Sequence, residues 1–200
     1  MKKAYILVGS ESAGNHLFCT LFSLLKHEGK KLLGTDMLGW TDGEYKYHDK
    51  ELFDPVWRAK RQIHEMVSSS FVTSRSVPCG DMPEIGSFYL ECEASGFDTE
   101  LVIIVRDQNI VREANIRSKK SDGTNGQEVL AYILQQAAYA RKKRFISFES
   151  LIQFKKDYLA CWLEGEGLEL FDDSYWELVK DENAKYVRQP ESPSVSLESP

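Results

Sequence analysis

Short apolar runs alternate with amphipathic stretches along most of the chain. The runs 5–8 and 101–105 are continuously apolar, which is typical of strands that are covered on both faces. Residues 14–27, which follow the first run after a short polar stretch, repeat Leu and Phe at helical spacing. Residues 128–142 and 149–163 show similar repeats. Strands that alternate with helices predict a parallel sheet with right-handed crossovers. The pattern therefore predicts the α/β class, with three layers and a mainly parallel sheet.

Weaker signals complete this outline. Short apolar or β-branched runs predict strands over 30–34, 71–74 and 145–148. Apolar positions among many charges predict helices over 56–67 and 109–117. These segments fill the intervals between the stronger elements, so the alternation of strands and helices continues through the chain.

The composition is that of an ordinary globular protein. Of the 200 residues, 42% are hydrophobic and 28% are charged, and the net charge of −6 argues against a surface built for nonspecific nucleic-acid binding. We expect one domain over residues 1–188 and a disordered tail over residues 189–200, which are rich in Pro, Ser and Glu. The scattered spacing of the four cysteines favours buried free thiols over a disulfide framework or zinc site: Cys19, Cys79, Cys92 and Cys161.

Two further features concern the location of the protein. No apolar run approaches the roughly 18 residues that a membrane span needs. The apolar run 5–8 is too short for a signal peptide and is interrupted by a polar loop. We therefore expect a cytoplasmic protein with no membrane partner, located in the host cytoplasm if the chain is viral.

Polar loops follow three of the predicted strands. They cover residues 9–16, 75–83 and 106–120. Because the carboxyl ends of parallel strands meet at one edge of a sheet, these loops are expected to converge there and to bind a ligand.

The first loop has two glycines at the spacing G-x-x-x-x-G between a buried strand and a helix. Backbone amides in such a loop can converge on phosphate oxygens, and the helix N-terminus adds a positive dipole. A standard P-loop continues with Gly-Lys-Ser/Thr, whereas Gly14 is followed by Asn15 and His16. The alternative is a glycine-rich turn without a ligand. The predicted phosphate-binding residues are Gly9, Ser10, Glu11, Ser12, Ala13, Gly14, Asn15 and His16.

Three segments carry a resemblance to known families. Residues 5–18 resemble the opening of sulfotransferase-like and kinase-like P-loop proteins, and residues 102–107 resemble the sulfotransferase segment that binds the 3′-phosphate of the nucleotide. Residues 145–151 resemble a later strand-to-helix junction of sulfotransferases. The loop is also similar to that of small phage P-loop kinases that phosphorylate 5-hydroxymethyluracil in DNA. These resemblances imply a P-loop-type domain and assign Arg106 to the binding of phosphate.

Departures from these families affect both phosphate anchors. Ser12 lies where sulfotransferases carry a catalytic lysine, and Ala114 lies where their second motif has a serine. Basic residues after Arg106 offer a substitute, with Arg112 as a phosphate ligand and Arg117 as a catalytic residue of a basic lid. The alternative for these arginines is a solvated basic helix face.

Carboxylates and an aromatic residue supply the remaining candidates. Asp36 or Asp81 is a candidate to accept the proton of the acceptor hydroxyl, and Asp107 is a candidate ligand of Mg²⁺. Arg75 and Trp40 are candidates to bind the acceptor, by charge and by stacking. The alternatives are aspartates that cap turns, an arginine in a surface salt bridge and a tryptophan in the core.

The combined evidence from the sequence favours a nucleotide-dependent kinase that uses ATP with Mg²⁺ and phosphorylates a hydroxyl. The phage resemblance implies that this hydroxyl belongs to hydroxymethyluracil in DNA. One alternative is a sulfotransferase that uses 3′-phosphoadenylyl sulfate without a metal. Another is a non-catalytic domain that binds a nucleotide or a partner, which the absent loop lysine would explain. The oligomeric state is not predicted.

Overall fold

Ten strands and five α-helices make up the part of the protein that the computed structural model describes, which is residues 1–35, 40–41, 44–45, 68–78, 82–119 and 126–180. For residues 35, 40, 41, 44, 45, 117–119 and 178 the description is limited to the backbone. The strands are β1 (Lys3–Ser10), β2 (Lys26–His27), β3 (Lys30–Lys31), β4 (Leu33–Thr35), β5 (Trp40–Thr41), β6 (Glu44–Tyr45), β7 (Phe71–Val77), β8 (Asp98–Val105), β9 (Lys143–Ser147) and β10 (Leu168–Glu169). The helices are α1 (Asn15–Leu24), α2 (Ile85–Ala94), α3 (Gln108–Lys119), α4 (Gly126–Gln136) and α5 (Phe148–Trp162), with short 3₁₀ helices at Ala137–Tyr139 and Asp173–Leu178.

The main sheet has five strands in the order β4-β7-β1-β8-β9, and every pair is parallel. β1 lies in the centre, with Val8 opposite Arg75 of β7 and Ile103 of β8. Two smaller antiparallel sheets, β10-β2-β3 and β5-β6, lie outside it. The predicted parallel sheet is confirmed.

Helices cover both faces of the sheet, as the continuously apolar strands require. On one face, Ile6 and Ile103 belong to a buried cluster with apolar residues of α2 and α4, such as Phe88 and Ile133. On the other face, buried residues of the strands pack against α1, α5 and the C-terminal 3₁₀ helix, and they include Tyr5, Leu7, Phe18, Phe22, Leu151 and Trp176. The molecule therefore has the predicted three layers.

Side chains of α5 cover the outer edge of β9. The indole Nε1 of Trp162 donates to the carbonyl of Phe145 at 2.9 Å. The N–H of Ser147 donates to the hydroxyl of Tyr158 at 2.7 Å. These bonds use backbone groups of the edge strand that would otherwise be open to pairing with another chain.

Several element boundaries differ from the prediction. The segment 30–34, expected to be one strand, divides into β3, which pairs with β2, and β4, which joins the main sheet. Helix α2 was not predicted, because its polar positions and Gly86 weaken the helical repeat. Helix α5 has a non-helical residue, Lys155, at φ 43°. The predicted helix 56–67 and tail 189–200 lie outside the described residues.

The thiols differ in exposure. Cys19 and Cys92 are buried thiols, as expected, whereas Cys161 is exposed on α5 and Cys79 lies outside the described residues. Burial raises the pKa of the Cys92 thiol, which keeps it protonated and inert. None of the helices in the described ranges is long and apolar enough to cross a membrane.

Candidate active site at the carboxyl edge of the sheet

The loop 9–16 leaves the carboxyl end of the central strand β1. The helix that follows, α1, lies on one face of the sheet, whereas α2, which follows the neighbouring strand β7, lies on the other. Such a reversal opens a crevice between the two strands, and this is where open α/β sheets bind ligands. The loop that the sequence predicts to hold phosphate therefore lies at the ligand-binding edge of the fold.

The loop is a tight turn with two residues of positive φ. The N–H of Ala13 donates to the carbonyl of Ser10 at 3.0 Å, and the N–H of Glu11 donates to the carbonyl of Val77 in β7 at 3.2 Å. Ser12 has φ 66° and Gly14 has φ 98°. Residues of left-handed conformation between right-handed ones turn successive N–H groups toward one side, which forms a concave site for anions.

Gly14 is required by its surroundings as well as by its φ. A Cβ at this position would lie 2.5 Å from Cδ2 of Phe148, at the start of α5. A side chain cannot fit between the loop and this ring. The second glycine of the motif therefore allows the loop to lie directly on the ring of Phe148.

The N-terminus of α1 is open to an anion. Gly14 is its N-cap residue, no side chain caps the helix, and its first turn contains no acidic residue. Among the described residues, no backbone hydrogen bond uses the N–H of Gly14 or Asn15. These amides and the helix dipole form the part of the site that would bind a phosphate.

The side chain of Asn15 connects the loop to the neighbouring strand β7. Its side chain is buried, and Nδ2 donates to the carbonyl of Ser10 at 2.9 Å and to Oγ of Ser76 in β7 at 3.1 Å. The sequence predicts a phosphate ligand here, but the amide group is directed at the protein. The side chain of Asn15 thus joins the loop to β7. Its backbone N–H belongs to the predicted phosphate cradle, by which we mean the loop 9–16 and the amides at the start of α1.

Arg106, directly after β8, and Asn115 in α3 contact the same loop. Nη1 of Arg106 donates to the carbonyl of Ser12 at 2.6 Å, and its guanidinium stacks on the ring of Phe148 at 4.2 Å. The hydroxyl of Ser12 donates to Oδ1 of Asn115 at 2.7 Å. A buried positive charge therefore lies beside the cradle, and the assignment of Arg106 to phosphate remains a prediction.

Asp107, the predicted Mg²⁺ ligand, has a structural role in the contacts found here. Its Oδ1 accepts from the N–H of Asn109 at 2.8 Å, which caps the start of α3. Its own N–H donates to Oε1 of Glu149 at 2.9 Å. Within the described residues, no group of three or more His, Cys, Asp or Glu residues has the arrangement of a metal site. The metal assignment remains a prediction, to which these contacts add no support.

The other predicted site residues are placed as follows. Arg75 is buried in β7 beside Val8 of β1, whereas His16 and Arg112 are exposed on α1 and α3. The side chains of Arg117 in α3 and Trp40 in β5 are not described, and Asp36 and Asp81 lie outside the described residues. The structure thus gathers residues 9–16 with Arg106, and the acceptor side remains a prediction.

Four contributors to the site were not predicted: Ser76, Asn115, Phe148 and Glu149. Phe148 and Glu149 belong to the strand-to-helix junction 145–151, whose resemblance to a sulfotransferase segment was the available signal. Asn115 directly follows Ala114, the position where that family has a serine. Nothing in the sequence indicates the contact between Ser76 and Asn15, which depends on the pairing of β1 with β7.

Comparisons with known proteins give the fold a name. No family model and no curated protein matches the chain. The solved sulfotransferase domain from the curacin biosynthetic pathway is similar, with a TM-score of 0.51, 12% identity, and coverage of 92% of this chain and 80% of that one. Mouse sulfotransferase SULT7A1 complexed with PAP gives a TM-score of 0.48 and 11% identity, and the match covers 90% of this chain and 63% of that one. The protein therefore has the P-loop-type α/β fold of a sulfotransferase domain.

Proposed function

We propose that this protein is a nucleotide-dependent group transferase of the sulfotransferase type. It would bind 3′-phosphoadenylyl sulfate and transfer the sulfuryl group to a hydroxyl of an acceptor. The observation that carries this proposal is the contact between Arg106 and the loop 9–16. It joins the predicted phosphate cradle to the segment whose resemblance assigns it to the 3′-phosphate. The similarity of the whole fold to a sulfotransferase domain adds support.

The charge distribution suits an anionic donor. The cradle amides and the dipole of α1 offer positive potential without a side-chain cation. Arg106 adds a full positive charge, kept in place by the ring of Phe148. Transfer of a sulfuryl group leaves negative charge on the departing phosphate oxygen, and preorganised donors of this kind stabilise such charge.

The missing loop lysine affects turnover more than binding. Ser12 takes its position, and its hydroxyl is bound to Asn115. Among the described residues, neutralisation of the charge on the departing phosphate would then rest mainly on the backbone amides of the loop and the dipole of α1. We therefore expect nucleotide binding to be readily measurable and sulfuryl transfer to be slow.

The kinase hypothesis favoured by the sequence competes with this proposal. It requires ATP with Mg²⁺ and, on the phage resemblance, hydroxymethylated DNA as the acceptor. The solved structure with a TM-score of 0.51 is a sulfotransferase domain, so this comparison favours the alternative over the kinase. They give no support to the phage resemblance.

Ligand-dependent thermal unfolding tests the proposal. We expect 3′,5′-adenosine bisphosphate, in the presence of EDTA, to stabilise the protein by about 2.7 kcal/mol at a hundred times its Kd. For a chain of this length that is a rise in Tm of roughly 5–10 °C. Arg106→Ala should weaken binding at least tenfold, because a hydrogen bond from a charged group contributes about 1.5–3 kcal/mol. Arg141→Ala, at an exposed arginine that pairs with Glu93, is the matched control and should bind normally.

Other outcomes would contradict the proposal. A shift with ATP and Mg²⁺ but not with the bisphosphate would favour the kinase. No shift with either nucleotide would favour a domain without nucleotide chemistry. If the bisphosphate does bind, the acceptor class can be identified by incubating the protein with radiolabelled 3′-phosphoadenylyl sulfate and a panel of phenols, alcohols and sugars. The acceptor is the compound that becomes labelled.

A further inference from the structure

Ser12 has a backbone conformation that a serine rarely adopts. Its φ of 66° lies in the left-handed region, which is unfavourable for residues with a Cβ. Such a residue keeps its conformation only when its surroundings hold it there. In this loop two side chains from outside the loop do so, and we call their contacts with Ser12 the Ser12 clamp.

The first contact of the Ser12 clamp holds the backbone. The carbonyl of Ser12 accepts from Nη1 of Arg106, and the N–H of Ala13 in the same peptide group donates to the carbonyl of Ser10. Because a peptide group is planar, bonds at both of its ends fix its orientation. The direction in which the chain enters Gly14 and the N-terminus of α1 follows from that orientation.

The second contact of the Ser12 clamp holds the side chain. Oδ1 of Asn115 accepts from the hydroxyl of Ser12 at 2.7 Å, the usual length of an O–H···O bond. Asn115 is buried, and it lies within helix α3, where asparagine is a poor helix former. A buried asparagine at such a position needs a hydrogen-bonding reason, and the bond to Ser12 supplies one.

We propose that Asn115 is a positioning residue of the nucleotide site: by holding Ser12 in its left-handed conformation it keeps the cradle amides ready for phosphate. This inference rests on the proposed function for the identity of the ligand. Asn115 acts through Ser12, and therefore the two residues should contribute to binding as one unit. Arg106 is unsuitable for testing this, because the proposed function also gives it a direct contact with phosphate.

A double-mutant cycle tests the coupling. The Kd for 3′,5′-adenosine bisphosphate would be measured calorimetrically for the wild type, Ser12→Ala, Asn115→Ala and the double variant. We expect each single variant to bind about tenfold more weakly and the double variant to bind no more weakly than either, because each removes the same bond. Alanine favours the helix, so α3 should remain intact in Asn115→Ala. Asn109→Ala, an exposed position at the start of α3, is the control and should bind like the wild type.

Two outcomes would overturn the inference. Losses that multiply to about a hundredfold in the double variant would show that Ser12 and Asn115 contribute separately. Normal binding by Asn115→Ala would show that the bond is not needed.

Ser12→Gly distinguishes the role of the hydroxyl from the role of the backbone conformation, since glycine adopts a positive φ freely but has no hydroxyl. The Ser12 clamp predicts weakened binding for this variant too, whereas a role of φ alone predicts normal binding.

Hydrogen–deuterium exchange of the free protein separates this inference from the proposed function. Without any nucleotide, Ser12→Ala and Asn115→Ala should each increase amide exchange in peptides covering residues 9–16, whereas Asn109→Ala should not. If the wild type binds no bisphosphate, the proposed function fails while the exchange data still test the Ser12 clamp. Unchanged exchange in both variants would refute it, whatever the binding result.

Discussion

Single residues with positive φ determine the shape of the cradle. The sequence correctly predicts a tight strand-to-helix loop that ends at Gly14, because glycine spacing is a local property, whereas Gly9 lies within β1. The contacts of the side chains within that loop could not be predicted as well. Ser12 and Asn15 were predicted to contact phosphate, yet their side chains bond to Asn115 in α3 and to Ser76 in β7. Contacts across about 60 and 100 residues of chain follow from the tertiary fold and leave no local pattern.

A comparison of two glycines with positive φ tests the close approach at Gly14. Gly14→Ala introduces a Cβ 2.5 Å from Phe148, whereas a Cβ at Gly29 meets nothing within 4 Å. Both variants carry the backbone cost of a positive φ, about 1 kcal/mol. We expect Gly14→Ala to lose about 2 kcal/mol more in the free energy of unfolding and to bind the bisphosphate at least tenfold more weakly. Equal stabilities in urea denaturation would show that the ring of Phe148 moves aside at little cost.

At the scale of elements, three strand-to-helix junctions meet at the carboxyl edge of the sheet. The junction β1–α1 contacts β8–α3 through Ser12 and Arg106, and β8–α3 contacts β9–α5 through Asp107 and Glu149. The prediction placed the first two junctions together from the alternation of strands and helices alone. It named 75–83 as the third loop, and the start of that segment does contact the loop 9–16 through Ser76 and Val77, but it did not include the junction after β9. The order of strands in the sheet, which the sequence does not state, puts β9 next to β8.

Glu149 offers a test of how these junctions depend on each other. Its Oε1 accepts from the N–H of Asp107, so Glu149→Ala removes an acceptor that ties α5 to the start of α3. We expect a loss of about 1 kcal/mol in stability and faster amide exchange over residues 106–110. Glu149→Gln keeps an oxygen at this position and should therefore retain most of the stability and most of the protection from amide exchange. An equal loss in the two variants would show that the charge, and not the hydrogen bond, connects the junctions.

At the scale of the whole molecule, the opposite edge of the sheet is held by a network of charges. Glu100 of β8 is buried and pairs with Arg144 of β9, whose guanidinium also stacks on Trp162 at 3.7 Å. Glu166, in the turn after α5, pairs with Lys3 of β1 and Lys142 before β9. This network joins the starts of three strands to the segment that follows α5. Its charges lie at the edge of the sheet opposite to the candidate site, so that it stabilises the fold without contacting the loop 9–16.

This network makes the stability of the molecule depend on pH. Burial alone would raise the pKa of Glu166, but its bonds and ion pairs with Lys142, Arg144 and Lys3 lower it below the ordinary value of 4.5. A lowered pKa in the folded state stabilises the protein above the ordinary value, and that stability is lost as the pH falls toward the folded-state pKa.

We therefore expect Glu166→Gln to be less stable than the wild type by about 1–2 kcal/mol at pH 7, because the neutral amide lacks the ion pairs. The difference should shrink as the pH falls below the ordinary value of 4.5 and through the lowered folded-state pKa, because the wild-type carboxylate then takes up a proton and loses its ion pairs. Urea denaturation of both proteins at each pH gives this difference directly, and titrations common to both cancel. A difference that remains constant down to pH 3 would mean that Glu166 stabilises the fold through its shape and neutral hydrogen bonds, and that its charge contributes nothing.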